Sequence, residues 1–392
     1  MSWPLGSLKD IAEVISGYAF KSTWFDEGVD KVIRIGDLQE GKVNLQKSKT
    51  FDSSVHTVRE QFRVRSGDIL MALSGATVGK IAVADGKCAG AYLNQRVAII
   101  RAKQPESASY IKYIFSGNYL DTLLLNAGGA AQPNLSPKDL LNMQIPLPPL
   151  DEQKRIAAIL DKADAIRQKR KQAIELADEF LRSVFLDMFG DPVTNPKGWE
   201  IKAIGELATK VTDGEHQTPK REEKGYKLLS ARNVQHGFLD VENEKVDYVG
   251  EAEFQRITKR LSISKSDVLL SCSGTIGRVS MNTLNEPFCL VRSVAVIRLA
   301  DNGVIPEFLV GYLGTSALQA IMKKEANSSG QPNLFQNQIK QLKVLVPPLE
   351  LQAKYKRFLD HYKEKKASLI SGNEQQALLF KSLSQKAFSG QL

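Results

Sequence analysis

Two short loops concentrate the groups best suited to hold a ligand. Ser74-Gly75-Ala76-Thr77-Val78-Gly79-Lys80 and, later in the chain, Ser273-Gly274-Thr275-Ile276-Gly277-Arg278 each gather backbone N–H groups, hydroxyls and one cation. That combination binds phosphates and can reach base edges. On a single occurrence an ordinary tight turn that needs glycine for its dihedrals reads the same way. Recurrence with the charge kept, Lys80 against Arg278, favours binding. An NTP-binding loop is a poorer match, because it needs four residues between its glycines and Ser or Thr after Lys, whereas Gly75 and Gly79 enclose three and Ile81 follows.

Side chains able to pair with bases flank the same stretches. They are Arg34, Asp37, Asn94, Gln95 and Arg96 in the first half and Arg232, Asn233, Gln235 and Arg292 in the second. With Lys21, Ser74, Thr77, Lys80, His216, Lys220, Ser273, Thr275 and Arg278 they form the set of candidate DNA contacts. The framework around them matches between halves while these polar residues differ, Asp37 against Asn233 and Gln95 against Arg292. One scaffold reading two sequences would look like this, and so would drift after duplication.

Bond-making chemistry finds little support. An Asn-Pro-Pro-aromatic loop for gripping an amine is absent; the Pro-Pro pairs follow Leu147 and Val346, where they end a strand and open a helix. His56, His216, His236 and His361 lack metal-ligand spacing and have no evident nucleophile beside them. Cys88, Cys272 and Cys289 are odd in number and form no Cys-x-x-Cys pair, so they read as buried apolar side chains. The expectation is a chain with no catalytic residue, no metal and no cofactor of its own.

The elements that must position these loops are written twice. Trp3, Leu8, Ile11 and Ala12 recur as Trp199, Ile204, Leu207 and Ala208. Asp68-Ile69-Leu70 returns as Asp267-Val268-Leu269, Val97-Ala98-Ile99-Ile100-Arg101 as Val294-Ala295-Val296-Ile297-Arg298, and Gln132-Pro133-Asn134-Leu135 as Gln331-Pro332-Asn333-Leu334. Each copy closes on Pro-Pro-Leu-x-x-Gln, ending at Gln153 and Gln352. Collinear matches of this kind establish an internal duplication. The first part of each copy mixes short β-rich runs with a few helices, one expected over 108–125 and another opening at Ser136-Pro137-x-Asp139. The second part, poor in Gly and free of Pro, reads as one long helix.

Those helices carry a 3.5-residue pattern. In the first it runs through Ile156, Ile159, Ala163, Ile166, Phe180 and Val184, with Arg170 on the same line. In the second it runs through Tyr355, Phe358, Tyr362, Leu369, Leu379 and Leu383, with Lys365. Such spacing is that of helices packed along a narrow stripe. Two helices each lying on its own domain are the alternative, but at about 1.5 Å per residue each extends roughly 50 Å, longer than a lid requires.

The fold class expected is therefore α+β, with two tandem pseudo-symmetric β-rich domains and two long helices forming an antiparallel coiled coil. The boundaries are 1–150, 151–187, 188–349 and 350–392. A chain of 392 residues accommodates this. The net charge of +9 is spread, with +3 on 1–150, +2 on 188–349 and +4 on 350–392, so a DNA surface must come from arrangement and not from a basic tail. No apolar run is long enough to cross a membrane and no signal peptide is evident, which points to the cytoplasm.

Two β-rich halves, each ending in Gln-Pro-Asn-Leu, then Pro-Pro-Leu-x-x-Gln and a long helix, resemble the specificity (S) subunit of type I restriction-modification enzymes. The resemblance covers nearly the whole chain; Glu350-Leu351 before Gln352 departs slightly, where the family often has two acidic residues. It implies that each globular part is a target recognition domain reading half of a split site in double-stranded DNA. It further implies that the helices space the domains and dock two methyltransferase (M) subunits, which would bind S-adenosylmethionine, with motor-nuclease (R) subunits joining for cleavage. A stand-alone DNA-binding or anti-restriction protein of the same fold is the rival reading.

Overall fold

The computed structural model describes residues 2–116, 119–121, 124, 134–301, 303–326 and 332–392. The chain forms two compact units, and their boundaries cut across the helices: one comprises residues 1–171 with 371–392, the other 172–370. Each unit thus holds one β-rich part and one half of each long helix.

In the first unit the strands Ala12–Ser16, Val97–Ala102, Ile69–Ala72 and Ile81–Val83 pair in that order, and Gly41–Val43 and Leu38–Gln39 extend the sheet. In the second unit the same four positions are held by Ala208–Asp213, Val294–Leu299, Val268–Ser271 and Val279–Met281. The first four residues of Val97–Ala102 and of Val294–Leu299, and the whole of Ile69–Ala72, are apolar and buried because both faces are covered. Successive side chains alternate, so Ile69, Met71, Ala98 and Ile100 pack towards the helices, while Leu70, Ala72, Val97 and Ile99 fill a second core on the other side. The second unit repeats the division, with Val268, Leu270, Ala295 and Ile297 against Leu269, Val294 and Val296.

A smaller sheet lies beside the larger one. Asp30–Ile33 runs parallel to Tyr92–Leu93 and antiparallel to Lys49–Phe51. Its counterpart is Tyr226–Leu229, parallel to Phe288–Leu290 and antiparallel to Asp247–Val249. A two-stranded pairing ties the start of each copy to its end: Leu5–Ser7 to Gln144–Pro146 and Glu200–Ala203 to Lys343–Val346. The helix start at Ser136 is a capping box, with Ser136 Oγ accepting from Asp139 N at 3.2 Å and Asp139 accepting from Ser136 N at 2.8 Å. Of the helix expected over 108–125, Ala108–Ile114 is helical, 115–116 form a turn, and 119–121 and 124 are helical again; residues 117, 118, 122, 123 and 125 of that expectation lie outside the described ones.

The long helices are Leu150–Phe189 and Leu349–Ser389. Within each unit their halves run antiparallel. Arg155 donates to Leu392 O and Arg167 stacks on Phe380 in the first unit, while Phe180 meets Phe358 and Phe185 meets Tyr355 in the second. The stripe keeps the expected period but advances by one residue at alternate steps. Leu160, Arg167 and Phe185 face inward where Ile159, Ile166 and Val184 were expected, Leu181 packs on the core beside Phe180, whose ring still meets the expected Phe358 of the partner helix, and Phe380 replaces Leu379. Ile166, Phe180 and Leu379 are half exposed, at 48, 57 and 50%. A helix that packs on both a partner helix and a globular core buries a face wider than an a/d stripe, and that second contact sets the phase. Ile156 and Tyr355 are buried; Ala163, Tyr362 and Leu383 pack at the margin of the cores.

Candidate nucleic-acid interface

The two Ser-Gly loops are held open by glycines in the left-handed region, at φ 86° and 81° for Gly75 and Gly79 and 79° and 93° for Gly274 and Gly277. Residues with a Cβ adopt such angles only at a cost. Each loop follows a buried strand and is pinned at its base. Leu135 N donates to Leu73 O at 2.8 Å, beside a bridge between Ser74 and Asn134; Leu334 N donates to Cys272 O at 2.8 Å, beside a bridge between Ser273 and Asn333. The Asn-Leu pair of that motif thus braces the loop. Gln132, Pro133 and Gln331 of that motif lie outside the described residues.

Three loops meet at this end of each unit. In the first, Asn94 N donates to Ile33 O at 3.0 Å and Leu73 N to Arg96 O at 2.9 Å, which draws 34–37, 74–80 and 94–96 together. In the second, Ala231 N donates to Ser293 Oγ at 3.0 Å, Cys272 N to Ser293 O at 2.9 Å and Thr275 Oγ1 to Ala231 O at 3.5 Å. Thr77, Lys80, Gln95 and Arg96 are exposed there, as are Arg232, Thr275 and Arg292; Arg34, Ser74, Asn94, Gln235, Ser273 and Arg278 are half-buried. Arg34 Nε is enclosed without a hydrogen-bond partner.

Two of the candidate contacts are buried beneath this surface. Asp37 and Asn233 are 6 and 1% exposed, and each accepts from the backbone at the start of its own turn, Arg34 N and Ser230 N. Their short polar side chains cap a 3-10 turn, a local task that consumes the groups a base would need. Burial also pushes the Asp37 carboxyl up, against the opposing pull of Arg34. Lys21 lies apart, over the ring of Trp24, and His216 and Lys220 are exposed on the loop after Asp213.

Lys80 acts on the Glu40 carboxylate, which Lys171 holds well below its usual range with help from Lys42 and Lys80. Arg278 shares its field with Arg182 and Lys323. Partial desolvation by the surrounding protein and the field of these three cations push His236, the exposed counterpart of Glu40, below the ordinary histidine value.

The sequence reading missed a pair of buried ion bridges that fix the opposite strand ends. Arg101 donates to Asp68 at 2.8 and 2.6 Å, and Arg298 to Asp267 at 2.8 and 2.7 Å. Each carboxylate also accepts a backbone N–H, and each guanidinium reaches a carbonyl, Arg63 O or Ser262 O. Their signal was in plain view, as opposite charges recurring at the ends of matched apolar runs. Gln153 and Gln352 likewise act within the fold, donating to Pro148 O and Pro347 O at 2.9 and 2.8 Å. The three cysteines are buried, and burial raises their thiols, Cys272 to about 12. Among the described residues there is no cluster of metal-ligating side chains and no helix long and apolar enough to cross a membrane.

The sequence matches the type I restriction modification DNA specificity domain twice, over residues 2–176 and 196–379. It is 23% identical to the EcoBI specificity subunit of Escherichia coli over 90% of this chain and 77% of the relative. It is 24% identical to the MjaIX specificity subunit of Methanocaldococcus jannaschii, over 97% of this chain and 90% of the relative. A solved chain from a study of type I R-M assembly and conformational transition superposes with a TM-score of 0.58 at 17% identity, covering 100% of this chain and 98% of the other. The S subunit from M. genitalium gives 0.56 at 16%, covering 99 and 96%.

Proposed function

The chain belongs to the type I restriction modification DNA specificity family, and from that premise we propose that each unit reads one half of a bipartite, asymmetric site in double-stranded DNA. The observation that carries this reading is the duplicated meeting of three polar loops, alike in backbone and different in side chains. A symmetric target would need matching contacts. Gln95 against Arg292 and Thr77 against Thr275 set in a shorter loop give instead two readers with separate preferences.

Within this surface Lys80 and Arg278 contact phosphate and the neighbouring polar side chains contact bases. A cation is drawn to the phosphate backbone whatever the sequence, and that contact carries no base discrimination. The chain itself makes and breaks no bond. It acts in the cytoplasm and places two methyltransferase subunits, which bring S-adenosylmethionine, and the motor-nuclease subunits at the site it has read. The half-exposed apolar side chains Leu176, Phe180, Leu186, Leu378 and Leu379 on the long helices suit such docking.

Selection from a randomised duplex library by the chain assembled with its methyltransferase subunits tests the proposal. Two blocks of fixed bases separated by unread positions are expected; enrichment of no block, or of one palindrome, would overturn it.

A further inference from the structure

Gly17 and Gly214 occupy the same place in the two units, and a Cβ on either would meet backbone carbonyl oxygens at 2.2 and 2.4 Å. The residue that follows is held identically. Tyr18 N donates to Leu93 O and Glu215 N to Leu290 O, both at 2.7 Å, while Tyr18 O accepts from Gln95 N at 2.9 Å and Glu215 O from Arg292 N at 3.0 Å. Equivalent backbone here carries opposite chemistry in its side chains. Tyr18 stacks on Trp24 and packs against Phe20 and Phe62. Glu215 is a carboxylate only 6% exposed.

A buried carboxylate is costly unless paired, and the helix Glu251–Arg260 supplies the pairing. Arg256 and Arg260 lie 3.6 and 3.9 Å from Glu215, and Arg260 also donates to Gly214 O at 2.5 Å and Asp213 O at 3.1 Å. Arg256 is itself held by Glu253 through two bonds of 2.9 Å. The remaining acceptor capacity of Glu215 goes to Gln217 N at 2.9 Å. The helix is seated on the small sheet by Phe254 and Ile257. At the matching place the first unit has only the short turn Glu60–Phe62.

We infer that Glu215, clamped by Arg256 and Arg260, is a positioning residue for the second recognition unit: it fixes the loop carrying His216 and Lys220 against the base-contacting Arg292. The first unit sets the corresponding loop by aromatic packing at Tyr18. The two readers therefore differ in how they are held as well as in what they present. The inference rests on the proposed reading of this chain as a DNA-specificity subunit.

The test uses the assembled methyltransferase complex and the randomised duplex library. Glu215→Gln keeps the size of the side chain and an acceptor for Gln217 N while removing the charge; Arg256→Gln and Arg260→Gln remove the partners from positions about 40% exposed. Gln95→Ala identifies which block of bases belongs to the first unit. Glu215→Gln, which removes the buried charge itself, is expected to lower enrichment of the other block about tenfold, leaving the first block and the melting midpoint unchanged, whereas Arg256→Gln and Arg260→Gln lower the same block and also the melting midpoint, because each takes a partner from the buried carboxylate. Equal loss in both blocks, loss in Glu215→Gln only in step with a lowered melting midpoint, or no change in either block overturns the inference. A wild-type complex that selects no block overturns the functional proposal itself, and this inference with it.

Discussion

At the scale of single residues, the polar side chains divide by what the backbone leaves them to do. Asp68 and Asp267 are 3 and 0% exposed and spend their oxygens on a guanidinium and a backbone N–H. Removing one partner of a buried pair strands the other, so Asp267→Ala should destabilise the second unit by about 3 kcal/mol, measured by urea unfolding; a loss below 1 kcal/mol would contradict that role. Lys80→Ala and Arg278→Ala should lower DNA affinity alike for all sequences and reduce the slope of log affinity against log salt by about 0.9 each. A change of preferred base at one position would show base contact instead. The sequence made the Ser-Gly loops and their cations legible because glycine dihedrals are a local matter. It could not separate Asp37 and Asn233 from true surface residues, since a turn cap and a base contact ask for the same short polar side chains.

At the scale of elements, periodicity located the long helices and their 3.5-residue repeat but not its phase, because the phase answers to the globular core as well as to the partner helix. Charged side chains on that face became clear only in three dimensions. Lys366, and not Lys365, reaches Asp178 at 2.5 Å, and the Tyr362 hydroxyl donates to the same oxygen at 2.6 Å. Burial works to raise the Asp178 carboxyl, yet the Lys366 ammonium and the Tyr362 hydroxyl together hold it below the usual carboxylate range. A depressed folded value stabilises the protein above the ordinary carboxylate range and ceases to do so as pH falls through that lowered value. Asp178→Asn should therefore cost about 1 kcal/mol or less near neutral pH, and the gap to the parent protein should close below about pH 4. Thermal melts across that range would read it; a gap independent of pH would mean the charge is irrelevant.

At the scale of the whole molecule, the duplication was the most legible feature and the partition of the chain the least. Repeats suggest two successive domains, yet the first unit takes back residues 371–392 from the far end. Trp3 Nε1 donates to Ala387 O at 2.7 Å in one unit, and Trp199 Nε1 to Phe189 O at 2.8 Å in the other. Residues 190–198 thus join in the second unit two stretches whose counterparts in the first, around Trp3 and Ala387, are far apart in sequence. A chain permuted by joining Leu392 to Ser2 through a linker, and opened within 190–198, should fold with the parent's circular dichroism and keep its DNA selection. Loss of cooperative unfolding would show that the order of the two halves along the chain matters.

The ownership of residues 371–392 by the first unit also bears on the order of events at the ribosome. Domains usually mature in the order of their synthesis, but here the earlier-coded unit must wait for residues 371–392 to emerge, whereas residues 172–370 are complete before them. The later-coded half is the first able to finish. Nascent chains arrested with 370 residues outside the exit tunnel should protect the second half from protease and leave residues 1–171 open to cleavage.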